Sequence, residues 1–279
     1  MEAYRVIPIQ TRDGITNTAI DDALEYSLKG GPIVVFSKWT PTVSIGVGQD
    51  LYKDVDVNEA ERLGAQIVRR KSGGRTVYLD KNYIGFTIID PTHGVSEFNF
   101  PERYKEWCSK VCEALKYLGI DANLKGNNDI LVNGRKIGNA AMVARKDYLL
   151  IHGSLRYRYD NLDEMLNILK IDGVQLKDYK EEASKVITSV DMESEIGEEE
   201  LYNSLVEKMC PNASVEAFTE DELETIEELK KSYDDKKWVK RGMWMSGKRT
   251  KKLKSRGPCD FIFDKTLMIP SLEGKVKFY

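Results

Sequence analysis

The chain has 279 residues, a hydrophobic fraction of 41%, a charged fraction of 31% and a formal net charge of −3. This length and hydrophobic content fit one large domain, or one domain with a small appendage, around a sizeable core. No apolar run approaches the roughly 20 residues that a bilayer-spanning helix needs, and the N-terminus lacks a signal-peptide pattern. The sequence therefore predicts a cytoplasmic protein with no membrane partner.

The four cysteines exclude a disulfide framework, because they are few and scattered. Two of them are four residues apart on a predicted helix. The only histidines are His93 and His152, however, and this set does not match the usual ligand spacing of zinc sites. His152 is predicted to be a core histidine with satisfied ring nitrogens, and the alternative is a group on the ligand side of the site. We expect buried free thiols at Cys108, Cys112, Cys210 and Cys259.

Hydrophobic periodicity divides the chain into short strands and helices. Apolar runs and alternating patterns predict strands at residues 4–9, 32–36, 42–47, 66–69, 82–89, 122–124, 130–132, 136–143 and 148–157. Helical spacing predicts helices at residues 16–28, with Thr16 as N-cap, and at 57–63, 102–118, 162–169, 199–209 and 220–233. The dipeptide Asn133-Gly134 joins two of the strands and is a strong hairpin signal. Since strands outnumber helices as far as residue 161, we expect an α+β fold with a mainly antiparallel sheet flanked by helices.

A glycine-bearing turn follows the strand at 66–69, and residues 69–78 read RRKSGGRTVY. Glycine allows backbone N–H groups to approach a ligand closely, since no Cβ intervenes. Arginine adds a planar fork of donors that matches phosphate or carboxylate oxygens. The turn is therefore a candidate anion site, and the alternative is a Gly-Gly hairpin turn with solvated arginines. The chain contains no G-x-x-x-x-G-K-[ST] pattern, which excludes a P-loop.

A second motif occupies residues 126–141, which read GNNDILVNGRKIGNAA. In this order and spacing, the two motifs resemble those of the lipoate–protein ligase family, R-R-x-[ST]-G-G-G-x-V-x-H-D followed by N-D-[IL] and G-x-K-[IV]-x-G-x-A. The resemblance extends to residues 43–49 and 152–155, and it covers the chain from residue 1 to about 169. Two positions depart from the pattern: Arg75 replaces the third glycine and Leu79 replaces the histidine.

The resemblance implies a catalytic domain of the biotin/lipoate-ligase type over residues 1–240, ending in a helical part. Residues 241–279 are then a basic C-terminal extension that is too short for the family's complete accessory domain, so a separate accessory subunit is a possible partner. The implied reaction uses ATP to activate lipoate as an acyl-adenylate, and the acyl group then passes to a lysine of a lipoyl-acceptor domain. Such a domain belongs to a 2-oxoacid dehydrogenase or to the H protein of glycine cleavage.

The same resemblance assigns site residues by motif position. Lys136 is the catalytic cation that stabilises the negative transition state at the α-phosphorus, although most strand lysines are simply exposed. Arg70 contacts phosphate or carboxylate, and Asn128 and Asp129 position the adenylate. Asp129 is also the candidate Mg²⁺ ligand, because Mg²⁺ prefers oxygen, and the alternative is an aspartate that shapes the hairpin. The remaining predicted ligand-contacting residues are Ser72, Gly73, Gly74, Arg75, Thr76, Val77, Tyr78, Gly138 and Ala140. Candidates for an apolar acyl slot are Ile45, Val47, Val77, Ile137 and Ala140.

A sister family of cysteine-dependent octanoyltransferases and lipoyl amidotransferases shares the G-G-R sequence at the turn. Its members take the acyl group as a thioester without ATP. Their cysteine lies shortly before the segment that matches residues 133–137, and residues 125–132 of this chain contain no cysteine. Because a nucleophile must lie close to the acyl carbon, we favour the ATP-dependent reaction, with the transferase as the alternative.

Basic residues are concentrated in residues 236–256, with Trp238 and Trp244 among them. The first interpretation is a solvated tail that is offset by the acidic helices before it. The second is electrostatic docking of an acidic acceptor domain. Nucleic-acid binding through this run ranks third.

Overall fold

The computed structural model describes residues 4–28, 30–92, 99–126, 128–145, 147–171 and 173–240. The strands are β1 (Arg5–Arg12), β2 (Ile33–Trp39), β3 (Thr42–Ile45), β4 (Gln66–Arg69), β5 (Val77–Leu79), β6 (Tyr83–Pro91), β7 (Ala122–Lys125), β8 (Asp129–Val132), β9 (Arg135–Ala144), β10 (Tyr148–Arg156), β11 (Lys170–Ile171), β12 (Val174–Gln175) and β13 (Ser214–Val215). The helices are α1 (Gly14–Ala23), α2 (Leu51–Asp54), α3 (Val57–Arg62), α4 (Phe100–Tyr117), α5 (Leu162–Ile168), α6 (Lys180–Val186), α7 (Val190–Glu193), α8 (Glu198–Met209), α9 (Glu220–Tyr233) and α10 (Lys236–Lys240).

In the described part of the chain, the larger sheet has eight strands in the order β13–β1–β2–β6–β10–β9–β8–β7. The pairings of β1 with β13 and with β2 are parallel, and the others in this sheet are antiparallel. A smaller sheet has the order β4–β3–β5. The expected α+β fold with a mainly antiparallel sheet is confirmed.

One face of the larger sheet is covered by α4 and α8. Val111 and Leu115 of α4 pack with Leu201 and Leu205 of α8 against the sheet in one buried cluster. Burial of such side chains contributes roughly 1.5–3 kcal/mol each to stability. This cluster supports the larger sheet on the face opposite the smaller sheet.

The other face of the larger sheet carries α1 and α9, and also the smaller sheet with its surrounding helices. Ile20 of α1 and Ile226 of α9 belong to one cluster on this face. The smaller sheet packs with α2, α3, α5 and α6 in a further cluster. The gap between the two sheets is where the candidate site lies.

Local sequence explains several boundaries. Asn133 and Gly134 have φ values of 51° and 77°, the left-handed pair that a tight hairpin turn requires. Thr219 and Glu222 form a capping box at the start of α9. The expected cap at Thr16 is wrong, because the Asp13 side chain accepts from the Thr16 N–H and starts α1 at Gly14.

The C-terminal helices are part of the same packed structure. The short helix α10 contacts β4, and Trp238 and Val239 lie against buried clusters. No helix among the described residues has the length and apolar character needed to cross a bilayer. The predicted basic extension at 241–279, including Trp244 and Cys259, lies outside the described residues, as does His93.

Candidate active site

A cavity of about 450 Å³ opens between the two sheets. Its wall residues come from β6, β9 and β10 of the larger sheet, from the turn between β4 and β5, and from the chain between α5 and α6. The volume is within the range of small-molecule sites in proteins. Residues of both sequence motifs, 69–78 and 126–141, therefore line the same cavity.

The turn between β4 and β5 is held by backbone contacts as well as by side chains. The Val47 N–H donates to the Ser72 carbonyl at 2.9 Å. Gly74 has a φ of 85°, which favours glycine. A Cβ on Gly46 would lie 2.0 Å from the Gly74 carbonyl oxygen, so the loop before α2 and the turn approach each other as closely as backbones can. The glycines therefore set the shape of the turn.

Two consecutive arginines are buried at the base of this turn. The Arg70 guanidinium donates to the carbonyls of Ser44, Gly73 and Arg75 at 2.7–3.2 Å. Arg69 is fully buried, and its guanidinium donates to the carbonyls of Gly46 and Gln49 at 2.9 and 2.8 Å.

Both guanidinium groups are solvated by main-chain carbonyls, and among the described residues neither forms an ion pair with a carboxylate. Burial lowers the pKa of Arg70 to about 10, Asp21 opposes this shift, and the neighbouring Arg69 adds to it. Burying charge without a paired counter-ion is costly. Arg70 lines the cavity and Arg69 is its neighbour in the chain, so the two cations contribute a positive field that suits an anionic ligand.

Lys136 lies on β9 and lines the cavity. Its Nζ lies 2.8 Å from Oδ1 of Asp129, on the paired strand β8. Asp129 is buried, so its carboxylate fixes the ammonium group from the protein side.

The backbone of Lys136 is braced by a later segment. Its carbonyl accepts from the Thr188 N–H at 2.9 Å, and Lys136 forms a parallel bridge with Ile187. Glu193 of α7 accepts from Thr188 Oγ1 and from Arg135 Nη2, each at 2.6 Å. The hairpin that carries Lys136 is therefore attached to α7.

His152 connects the turn to α1. Its Nε2 lies 3.1 Å from Ser72 Oγ, and its Nδ1 lies 3.2 Å from Oδ2 of Asp21. Thr87 Oγ1 donates to the other Asp21 oxygen at 2.8 Å. The histidine is satisfied at both ring nitrogens, as expected, and it also lines the cavity, as the alternative of a ligand-side group would require.

Most of the predicted ligand-contacting residues share the cavity wall. These are Arg70, Gly74, Arg75, Thr76, Val77, Tyr78, Asn128, Lys136, Gly138 and Ala140. Ser72, Gly73 and Asp129 do not line the cavity but contact residues that do, namely His152, Arg70 and Lys136, respectively. Of the proposed acyl slot, Val77, Ile137 and Ala140 line the cavity. Val47 does not line it, and Ile45 is buried in the cluster around the smaller sheet.

Several wall residues carry no motif and were missed. Asp21, Asp54 and Arg156 line the cavity, as does Trp39, whose buried Nε1 has no hydrogen-bond partner among the described residues. An unsatisfied buried donor of this kind is a group that a ligand can complete. No sequence signal marks these positions, because each is brought to the wall by tertiary packing.

The described cavity wall includes no cysteine. Cys108, Cys112 and Cys210 are buried in the cluster of α4 and α8, as predicted. Burial raises the pKa of these thiols to about 12, 11 and 12, respectively. They are poor sources of a thiolate.

The described residues also contain no group of three His, Cys, Asp or Glu side chains arranged to hold a metal ion. Asp129 is the carboxylate next to Lys136. Because Asp129 does not line the cavity and its carboxylate is paired with Lys136, a Mg²⁺ ion bound with the phosphates would take its ligands mainly from phosphate oxygens and water, and its ligation by Asp129 stays a prediction.

Residues 13–210 match the family model described as the lipoyl protein ligase A/B catalytic domain. The lipoate–protein ligase LplJ of Bacillus subtilis is 31% identical over 207 residues, 71% of this chain and 61% of that protein. The octanoyltransferase LipM of Carboxydothermus hydrogenoformans is 32% identical over 199 residues, 64% of this chain and 73% of that protein. The chain thus spans less than two thirds of the ligase it matches.

The fold is similar to that of solved lipoate ligases. A bipartite lipoate–protein ligase of Thermoplasma acidophilum, described together with its E2 lipoyl domain, superposes with a TM-score of 0.78 at 23% identity. The match covers 86% of this chain and 96% of that one. A lipoate–protein ligase A bound with ATP gives a TM-score of 0.75 at 22% identity, over 86% of this chain and 99% of that one.

Proposed function

This chain belongs to the lipoyl protein ligase A/B catalytic domain family, and from that premise we propose that it is an ATP-dependent lipoate–protein ligase. It is an enzyme of a family that contains both lipoate ligases and octanoyltransferases. The proposal selects the ligase reaction, in which lipoate becomes lipoyl-AMP and the lipoyl group then passes to a lysine of an acceptor domain.

The observation that carries this proposal is the positive character of a cavity whose described wall has no thiol. Arg70 and Lys136 line the cavity, and Arg69, which precedes Arg70 in β4, is fully buried. Such fixed cations suit a ligand with a phosphate group more than they suit a neutral thioester. An adenylate provides that phosphate.

In the first step the lipoate carboxylate attacks the α-phosphorus of ATP and pyrophosphate leaves. Lys136 stabilises the negative charge that develops on the oxygens around phosphorus, and Asp129 holds the lysine in place. In the second step the ε-amine of the acceptor lysine attacks the acyl carbon. The amide forms, AMP leaves with the bonding pair, and the amine loses one proton.

Substrate binding follows from the character of the wall. Val77, Ile137 and Ala140 provide apolar surface for the acyl chain. Backbone N–H groups of the turn between β4 and β5 surround the phosphate. Mg²⁺ would neutralise part of the phosphate charge and would take its ligands mainly from phosphate oxygens and water. Neighbours described as bound to lipoic acid and to ATP support these two substrates.

The second candidate is acyl transfer from a thioester without ATP, and the octanoyltransferase relatives favour it. That reaction needs a nucleophile near the acyl carbon. The buried, protonated thiols on the opposite face of the larger sheet do not supply one. The acceptor is proposed to be a lipoyl domain, as in the Thermoplasma system, or an H protein. A separate accessory subunit and a cytoplasmic location remain part of the proposal.

The test is the mass of a purified lipoyl domain after incubation with the full-length chain. We expect a lipoyl mass shift only when both ATP and free lipoate are present. Lys136→Met should lower its rate about 100- to 1,000-fold, the usual cost of removing a preorganised charge. Lys125→Met, an exposed lysine on β7, is the matched control and should retain activity. An equal shift from octanoyl thioester without ATP would contradict the ligase proposal in favour of the transferase.

A further inference from the structure

The last described helix, α10, contacts the strand that leads into the glycine-bearing turn. Trp238 Nε1 donates to the Arg69 carbonyl at 2.7 Å. In return, Arg69 Nε donates to the Val239 carbonyl at 3.0 Å. Trp238 thus holds the backbone of Arg69, and Val239 holds its side chain. This pair of contacts joins positions that are 169 and 170 residues apart.

The contact matters energetically because Arg69 is fully buried. Burial lowers the pKa of its guanidinium, and the more distant carboxylates of Asp50 and Asp54 oppose that shift. The charge therefore depends on carbonyl oxygens for solvation. Val239 supplies one of these carbonyl oxygens.

A second contact holds the turn from the end of α9. Lys71 forms an ion pair with Asp22, and Tyr233 Oη donates to the same carboxylate oxygen at 2.5 Å. The Lys71 ammonium also lies 5.4 Å from the centre of the Tyr233 ring. Tyr233 is buried, whereas Lys71 is partly exposed, so the fixed tyrosine restrains the position of the lysine side chain.

We propose that Tyr233, Trp238 and Val239 form a C-terminal clasp that positions the glycine-bearing turn for ligand binding. None of the three residues lines the cavity. It fixes the residues on either side of Arg70, and Arg70 in turn holds the carbonyls of Gly73 and Arg75. The inference rests on the proposed function only in naming the nucleotide phosphate as the ligand of the turn.

The direct test is hydrogen exchange of peptides spanning residues 66–78 in the full-length chain without substrates. Trp238→Phe keeps an aromatic ring and removes the indole donor. We expect exchange at the turn to accelerate about threefold to tenfold, the range expected for one lost hydrogen bond. Trp107→Phe is the matched control, since it removes an indole donor to Asp90 on the opposite face of the sheet.

In the control variant, exchange at the turn should stay as in the unmodified chain, even if global stability falls. Unchanged exchange in Trp238→Phe, or equal acceleration in Trp107→Phe, would overturn the clasp. Tyr233→Phe provides an independent variant, since it deletes only the hydroxyl that reaches Asp22. It should also accelerate exchange at the turn, and no change there would equally count against the clasp.

Steady-state kinetics separate positioning from general destabilisation. Trp238→Phe should raise KM for ATP about threefold to tenfold while KM for the acid and kcat change less. An equal loss in all three parameters would contradict positioning. Because the exchange measurement uses neither ATP nor acid, failure of the unmodified chain to form an adenylate would refute the proposed function and leave the clasp to be judged by exchange alone.

Discussion

The Nζ atom of Lys136 lies 2.8 Å from Oδ1 of Asp129, so the proposed catalytic cation and its counter-ion occupy paired strands of one hairpin. The lysine is partly exposed to the cavity, and the aspartate is buried behind it. The ammonium side of the ion pair therefore faces the cavity, and the carboxylate side faces the protein interior. This arrangement directs the positive charge towards a ligand.

Asp129→Asn should remove the counter-ion and leave the shape of the hairpin intact. We expect the rate of adenylate formation to fall about 10- to 100-fold, because the ammonium group loses the buried carboxylate that holds it in an ion pair. Release of pyrophosphate is the measurement. Asp121→Asn is the control, since Asp121 is highly exposed and its ion pair with Lys116 spans 3.8 Å. Similar losses in both variants would exclude a specific role for Asp129.

Gly46→Ala should distort the glycine-bearing turn. The added Cβ would lie 2.0 Å from the Gly74 carbonyl oxygen, so one of the two backbones must move. We expect a loss of about 1–3 kcal/mol in the free energy of unfolding, together with weaker ATP binding. Gly48→Ala lies two residues away with nothing within 4 Å of the new Cβ, and it should be nearly neutral. Denaturant unfolding of both variants checks this prediction.

Replacement of all four cysteines by alanine should leave ATP-dependent lipoylation within about threefold of the unmodified chain. The physical reason is that the described thiols are buried away from the cavity and protonated at neutral pH. Acceptor mass per unit time is the measurement, with correction for the folded fraction by circular dichroism. Loss of activity in folded protein would instead support a thioester mechanism.

Acid should destabilise the chain partly through Glu222 of α9. Burial alone would raise the pKa of this carboxyl, but hydrogen bonds from Arg5 and the Thr219 N–H lower it to about 2 from 4.5. A depressed pKa in the folded state contributes stability above about pH 4.5, and this contribution is lost as the pH falls towards 2.

Glu222→Gln should therefore be less stable than the unmodified chain at pH 6, and it should lose less stability between pH 4.5 and 2. Urea unfolding at several pH values measures both effects. Glu220→Gln, an exposed position in the same helix, should keep the slope of the unmodified chain. Parallel pH slopes for Glu222→Gln and the unmodified chain would contradict this assignment.

The sequence predicted local structure best where the conformation depends on residues that readily adopt a positive φ. The Asn133-Gly134 turn is correct because both positions adopt positive φ. The convergence of the two motifs on one cavity was also expected, and it came from motif resemblance. Short elements such as α7 and α10 were missed, because helices of this length are stabilised by tertiary contacts and carry little periodic signal.

The sequence could not indicate how the arginines are used. Arg70 was expected to reach a ligand, and in the structure its fork holds turn carbonyls, so direct contact with phosphate stays a prediction. Asp21 and His152 meet although they are 131 residues apart, and no motif links them. Such pairs depend on which strands and helices become neighbours. The pattern of residues in a single sequence does not predict which strands and helices become neighbours.

The attachment of the Lys136 hairpin to Thr188 and Glu193 has a consequence for how an acceptor protein must be built. These contacts hold the hairpin in place at the cavity wall, so under the proposed ligase function the incoming amine has to reach it. We therefore expect good acceptors to carry their target lysine at the tip of a protruding loop, long enough to enter the cleft. A lysine placed in the middle of a flat surface should remain unmodified, however closely that surface approaches.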